Sequence, residues 1–257
     1  MCAGMHVVAA RGFAGAGDVY EQGRPDYPAA AVAFLARVLA IAPGTRVVDL
    51  GAGTGKLTRR LAPTGAWLLA LEPVEGLRRT FAGLSAGVPV VGGTAEAIPL
   101  GGGSVDVVVA GTAFHWFDGQ AALQEIHRVL RPQGRLGLVW NARDETVDWV
   151  ALLVRIADAY KRGSPPRYTD GAWRQAFAST TRFTPLEARQ FPFTQHGDRS
   201  TVLARAASTS FIGALPPVER ERALRSVAEL LDTHPATRDR ADIGLPYRAD
   251  VYWCTRR

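Results

Sequence analysis

Gly51, Gly53 and Gly55 alternate directly after the apolar run Val47-Val48-Asp49-Leu50, and a helix-like stretch opens at Lys56. A strand that runs into a glycine turn at the start of a helix lets backbone N–H groups approach a polar ligand without interference from Cβ atoms. Several kinds of nucleotide site share that plan and differ in spacing. A dinucleotide GxGxxG pattern counted from Gly51 and Gly53 puts its last glycine at position 56, where Lys56 stands. A phosphate-cradling GxxxxGK[ST] loop ending on Gly55-Lys56 demands glycine at 50 and Ser or Thr at 57, where the chain has Leu50 and Leu57. Neither pyrophosphate reading fits. The next apolar run, Leu68-Leu69-Ala70-Leu71, ends in Glu72, about 20 residues past the loop, where a carboxylate can accept both hydroxyls of a ribose. Loop and acid together point to an adenosine-containing ligand.

These residues need a sheet to carry them. Short β-branched runs alternate with helix-like segments, so strands are expected over 46–50, 67–71, 88–91, 105–110 and 135–140. Crossover helices are expected over 56–61, 75–84 and 121–130, and an amphipathic helix over 28–41 precedes the first strand. Continuous apolar strands imply a parallel sheet covered on both faces, a doubly wound α/β core. Beyond Trp140 the pattern predicts helices over 146–160, 171–178, 200–209 and 217–233, with strands over 186–194 and 247–255. Two strands are too few for a core of their own, so they should finish the same sheet. The expected division is a cap segment over 1–44, the binding core over 45–141, and remaining strands with helical lid insertions over 142–257, all in one domain.

From 47 to 141 the chain resembles class I S-adenosylmethionine-dependent methyltransferases of the broad small-molecule type that includes trans-aconitate methyltransferase-like proteins. Upstream, Tyr20-Glu21-Gln22-Gly23-Arg24-Pro25-Asp26-Tyr27-Pro28 is similar to that family's YxxxRPxYP segment, and Leu130-Arg131-Pro132-Gln133-Gly134-Arg135-Leu136 matches its helix-turn-strand signature before strand five. The resemblance implies a Rossmann-like sheet of seven strands, parallel but for one antiparallel strand. It implies S-adenosylmethionine as cofactor, with Asp49, Gly51, Ala52, Gly53 and Gly55 facing its methionine part, Glu72 its ribose and Pro73 its adenine. Thr94, Ala95 and Glu96 resemble the element that reads the adenine edge, although many relatives carry Asp where Thr94 stands. Arg24 suits the cofactor carboxylate, because a planar guanidinium makes two parallel hydrogen bonds to one. Tyr20 would close over the same end, with Ala110 and Trp116 in the pocket wall.

Methyl transfer from a positive sulfur mainly requires aiming the nucleophile, and in-line placement can supply roughly 7 to 11 kcal/mol. His115 follows the fourth strand at the carboxyl edge and is the candidate general base, with packing or cofactor shaping as the alternative. Tyr27, Trp140, Trp149, Tyr160, Trp173, Phe177 and Phe211 are candidates for an apolar acceptor pocket, and Arg155, Arg167 or Arg174 for meeting an acidic substrate. Asn141, Asp144 and Glu145 read as a solvated turn, and no metal site is expected.

Composition narrows the partners. The 257 residues are 47% apolar and 21% charged, enough for one sizeable core. No apolar run approaches the roughly 18 residues of a membrane span. The net charge of +6 is spread along the chain without a basic run, so a nucleic-acid face is not expected. Cys2 and Cys254 form no ligand or disulfide pattern, and the first 17 residues lack a signal-peptide core, with Met5 a second candidate start. The expectation is a cytoplasmic enzyme acting on a small-molecule acceptor. The competing readings are an RNA or protein methyltransferase, a cofactor-binding scaffold without turnover, and an NAD(P)-dependent reductase.

Overall fold

A computed structural model describes residue 21, residues 23–161 and residues 167–257. Its strands form one seven-stranded sheet in the order β3-β2-β1-β4-β5-β7-β6. β1 (Arg46–Leu50), β2 (Trp67–Leu71), β3 (Val90–Val91), β4 (Val105–Gly111) and β5 (Leu130–Arg143) pair in parallel. β7 (Leu245–Thr255) runs antiparallel to both β5 and β6 (Glu187–Gln195), so one strand alone opposes the rest. The chain steps from β1 to β2 on one side and returns to β4 on the other. That reversal opens a crevice beyond the carboxyl ends of β1 and β4, where such sheets seat ligands.

Alternate strand residues face opposite sides. On one side Val48, Leu50, Val108 and Leu138 pack against Leu123 and Ile126 of α4 (Gly119–Val129). On the other, Val47, Val107, Val109 and Val139 pack against Leu35 and Leu39 beside α1 (Ala29–Val38) and Leu57 and Leu61 of α2 (Lys56–Leu61). α3 (Glu75–Leu84) covers the β2 end, burying Leu77 and Phe81. α4 starts where Asp118 accepts hydrogen bonds from the Gln120 and Ala121 amides, which would otherwise lack partners. A third apolar cluster joins α5 (Asp148–Asp158), α6 (Arg199–Ala207) and α7 (Pro217–Thr233) to Leu245 and Tyr247 at the start of β7. The late helices thus rest on the sheet's own last strand. Among the described residues no helix is long and apolar enough to cross a membrane.

Two strands depart from expectation. β3 shrinks to Val90–Val91, because Pro89 has no N–H to give a ladder and contributes only its carbonyl, which accepts from Ala70 at 3.0 Å. β5 is longer than expected at both ends. Leu130 pairs with Val105, and the ladder then slips to Val107 opposite Arg135, absorbing the turn where Gln133 takes φ 64°. At the far end Asn141, Ala142 and Arg143 stay in register with Ala249, Arg248 and Tyr247, which carries β5 into the crevice.

Candidate functional site

The glycine turn sits where β1 stops. Both Gly51 and Ala52 donate their amides to the Leu71 carbonyl, at 2.8 and 3.1 Å, which pins the turn to the end of β2. Gly51, Gly53 and Gly55 have φ of 64°, 59° and 90°, a region that side-chain-bearing residues avoid. Their surroundings differ. A Cβ on Gly51 would lie 2.8 Å from Ala113 Cβ, and one on Gly55 would lie 2.7 Å from Phe81 and Ser85 Oγ. At Gly53 a Cβ would meet nothing within 4 Å, and Gly53 borders the cavity. Gly55 is therefore a glycine for packing; Gly51 borders both the cavity and the recess while also packing against Ala113, and Gly53 borders both with open space in front of it.

Glu72, at the end of β2, is 4% exposed and reaches under the turn. One carboxylate oxygen accepts from the Gly53 amide and the other from the Val74 amide, both at 2.9 Å. Burial raises its pKa above the ordinary value despite these bonds. Asp49, two residues before Gly51, is also buried. Its Oδ2 accepts from Thr58 Oγ1 at 2.6 Å, while Oδ1 has no partner among the described residues. Burial pushes its pKa up to about 7, the Thr58 bond opposing and the Glu72 charge adding to the shift.

The amino-terminal segment is strapped over this turn. Glu21 accepts from Thr54 Oγ1 at 2.5 Å and pairs with Lys56 at 3.3 Å and with Arg59. Arg24 donates to the Ser208 carbonyl at 3.1 Å and shares with Asp49, Ala52 and Gly53 the lining of a recess of about 40 Å³. Tyr27 bonds Thr112 at 3.0 Å, and Thr112, just past β4, holds a left-handed φ of 54°.

A larger cavity of about 240 Å³ adjoins this recess. Pro73, Val74 and Leu77 form one wall beyond Glu72, with Thr94, Ala95 and Glu96 beside them. Glu96 accepts from the Asp118 amide at 2.9 Å, which ties this loop to the start of α4. His115 and Trp116 border the cavity from a helical turn over Phe114–Trp116, their rings 5.0 Å apart. His115 Nδ1 lies 3.1 Å from Trp140 Nε1. An indole N–H only donates, so Nδ1 must accept and the neutral ring carries its proton on Nε2. Burial, assisted by the Arg24 charge, pushes the His115 pKa down to about 3. A ring with its basic lone pair occupied and its other nitrogen protonated is built to donate a hydrogen bond. It is poorly placed to serve as the general base expected of it.

Other expectations fare variously. Ala110 lies in the core at 1% exposure and Gly55 packs against α3, so neither lines the cavity. Tyr20 lies outside the described residues. Trp140, Phe211 and Arg167 do line the cavity, and Tyr27 lines the recess. Trp149, Trp173 and Phe177 are absorbed in apolar clusters, and Tyr160 packs against Ile212 and its neighbours. Arg174 donates to the Tyr252 hydroxyl at 2.6 Å, and Arg155 is exposed. The sequence reading missed several cavity residues, among them Asp158, Tyr168, Arg143 and Arg205.

Residues 48–138 match a methyltransferase domain family model. An uncharacterized methyltransferase of Mycobacterium tuberculosis is 40% identical over 236 residues, 91% of each chain. The chain belongs to the class I methyltransferase family. The structure of a putative type II methyltransferase from Anaeromyxobacter dehalogenans superposes with a TM-score of 0.66 at 23% identity, covering 91% of this chain and 97% of that one. A geranyl diphosphate methyltransferase solved in complex with S-adenosylmethionine superposes with a TM-score of 0.52 at 17% identity, covering 89% and 85%. In this methyltransferase the matched segment spans β1 to β5 and so includes the glycine turn, Glu72 and His115. Arg143 and Arg205 lie beyond it.

Proposed function

We propose that this chain transfers a methyl group from S-adenosylmethionine to a small organic acceptor. The observation that carries the reading is the recess beside Gly53, lined by Arg24 and by Asp49, whose buried Oδ1 has no partner among the described residues. A buried acceptor atom without a partner is rare and points to a missing donor. An amino-acid end, with an ammonium for Asp49 and a carboxylate for Arg24, satisfies both in one ligand. Adenosine fits the adjoining wall. Glu72 keeps lone pairs for ribose hydroxyls after its two backbone bonds, since a carboxylate has about four acceptor positions. Pro73, Val74 and Leu77 offer an apolar surface to a purine, with Thr94, Ala95 and Glu96 around its edge.

When bound, S-adenosylmethionine supplies a methyl already activated by a positive sulfur. The protein's task is placement. The glycine turn and Glu72 fix one end of the cavity, while Trp140, Tyr168 and Phe211 enclose the acceptor end and exclude water. His115 Nε2–H offers a fixed donor to either reactant. Asp158 is engaged by Arg167 at 2.6 Å. An acceptor whose nucleophilic atom needs no deprotonation suits such a cavity. Its walls and volume suit a small molecule rather than a polymer.

Calorimetric titration with S-adenosylmethionine, S-adenosylhomocysteine and NADPH tests the reading. Binding of the first two and not the third is expected. NADPH binding alone would overturn it. Incubation with methyl-labelled cofactor and a metabolite extract then separates an enzyme from a scaffold, since only the former labels an acceptor.

A further inference from the structure

Arg143 ends β5, directly opposite Tyr247 of β7. Its Nε and Nη2 are shielded from water and have no hydrogen-bond partner among the described residues. Arg205, on α6, is 6% exposed, with Nε on the Tyr247 hydroxyl at 2.7 Å and Nη1 on Ser208 Oγ at 3.3 Å. Neither arginine has a carboxylate partner among the described residues, whereas Arg167 beside them is matched by Asp158. Burial pushes the Tyr247 phenol up, but Arg205 and Arg143 more than offset this and hold it below the ordinary tyrosine value. Two guanidinium groups thus converge on one hydroxyl at the cavity wall. Leaving buried guanidinium N–H groups without acceptors is strongly unfavourable, and a ligand oxyanion would remove that penalty.

We propose that Arg143, braced by Tyr247 and Arg205, anchors an oxyanion group of the acceptor, a carboxylate or a phosphate. The inference rests on the methyl-transfer reading and adds to it the chemical class of the acceptor. The anchor is distinct from the place assigned to the cofactor carboxylate. Arg24 borders the recess at the glycine turn as well as the larger cavity; Arg143 borders only the larger cavity, alongside Val154 and Ala157 of α5. Arg205, like Arg24, borders both spaces. The rest of the acceptor should be apolar and flat, because Trp140 and Tyr168, stacked with centroids 4.7 Å apart, and Phe211 form the neighbouring walls.

The test uses the full chain and three probes of one shape: phenylacetate, phenyl phosphate and the neutral phenylacetamide. Affinities are measured by calorimetry with and without saturating S-adenosylhomocysteine, on wild type, Arg143→Gln and Arg143→Lys. Wild type should bind at least one of the anions about tenfold or more tighter than the amide, and the preferred anion distinguishes carboxylate from phosphate. Arg143→Gln should lose that preference, and Arg143→Lys should restore only part of it, because an ammonium cannot make the two-pronged contact. S-adenosylhomocysteine affinity should stay unchanged in both variants, which also reports that they are folded. If the variants fail to fold, the wild-type comparison of anion and amide still decides. Equal binding of amide and anions, or no anion binding at all, overturns the proposal. Weakened S-adenosylhomocysteine binding in Arg143→Gln would reassign Arg143 to the cofactor. If S-adenosylhomocysteine does not bind wild type at all, the methyl-transfer reading falls, and anion binding in its absence still judges Arg143 separately.

Discussion

Trp140 donates its indole N–H to His115 Nδ1 at 3.1 Å, and this one bond decides what the imidazole can do. It leaves His115 neutral with a proton on Nε2, and burial holds the pKa at about 3. The unfolded ring takes up a proton near pH 6.5 and the folded ring does not, so the unfolded state binds more protons between those limits. Stability should therefore fall as pH drops below about 6.5, by at most about 1.4 kcal/mol per pH unit from this group. Nitrogen-15 NMR of the imidazole should show the Nε2–H tautomer without titration between pH 5 and 8. A His115 midpoint near 6.5 would restore it as a candidate base. Trp140→Phe should free Nδ1 and make the tautomer mixed.

Asp49 makes a prediction of opposite sense. Its pKa of about 7 before ligand binds means the carboxyl is partly protonated at neutral pH. An ammonium beside Oδ1 favours the ionised form, so binding S-adenosylmethionine should release up to one proton below pH 7. Affinity should rise with pH through that value and level off above it. Calorimetry in buffers of different ionisation enthalpy counts the protons. Asp49→Asn should bind more weakly and lose the proton release. Pairing of the wild-type protein with a ligand and no released proton would remove Asp49 from the cofactor site.

Gly53 and Gly55 separate binding from packing, with Gly51 serving both. Gly55→Ala would drive a methyl group into Phe81 and Ser85 at a backbone φ of 90°, and Gly51→Ala would press on Ala113 at 64°. Each should destabilise by about 1 to 3 kcal/mol. At Gly53 an added Cβ meets no protein atom within 4 Å, so Gly53→Ala should cost only about 1 to 2 kcal/mol of backbone strain. Its effect should appear as lost S-adenosylhomocysteine binding. Thermal unfolding with and without that ligand checks both halves. Equal loss of binding in a folded Gly55→Ala protein would contradict the division.

How far the sequence could be read follows from how local each signal is. β1, β2, α2, α3 and α7 fall on their expected bounds, because apolar runs, helical periodicity and clear breakers mark them within a few residues. The glycine turn and Glu72 were legible for the same reason: they are consecutive strand ends with a fixed offset. Arg143 was not. Asn141 to Glu145 is polar and reads as a turn, and only pairing with β7, over 100 residues away, keeps Arg143 in the sheet. Arg205 sits on a helix where any arginine reads as solvent-facing, and its burial depends on the packing of α6 against β7. Of the seven aromatic residues assigned to an acceptor pocket, Trp149, Trp173 and Phe177 went to the core, since helical spacing does not tell a pocket face from a buried one.

Glu72 supplies the sharpest test of how turn and ligand are joined. Its two oxygens accept from Gly53 and Val74, so the carboxylate shapes the turn before any ligand arrives. Glu72→Gln keeps the size but replaces one acceptor with an NH2 donor, which must then face a backbone donor. The clash should loosen the turn and remove a ribose contact together. S-adenosylhomocysteine affinity should drop by about 1 to 3 kcal/mol. Hydrogen exchange at the Gly53 and Val74 amides should quicken in the ligand-free protein. Faster exchange with unchanged affinity would make Glu72 a support of the turn alone. Weaker affinity with unchanged exchange would make it a ribose ligand alone, and the double role requires both.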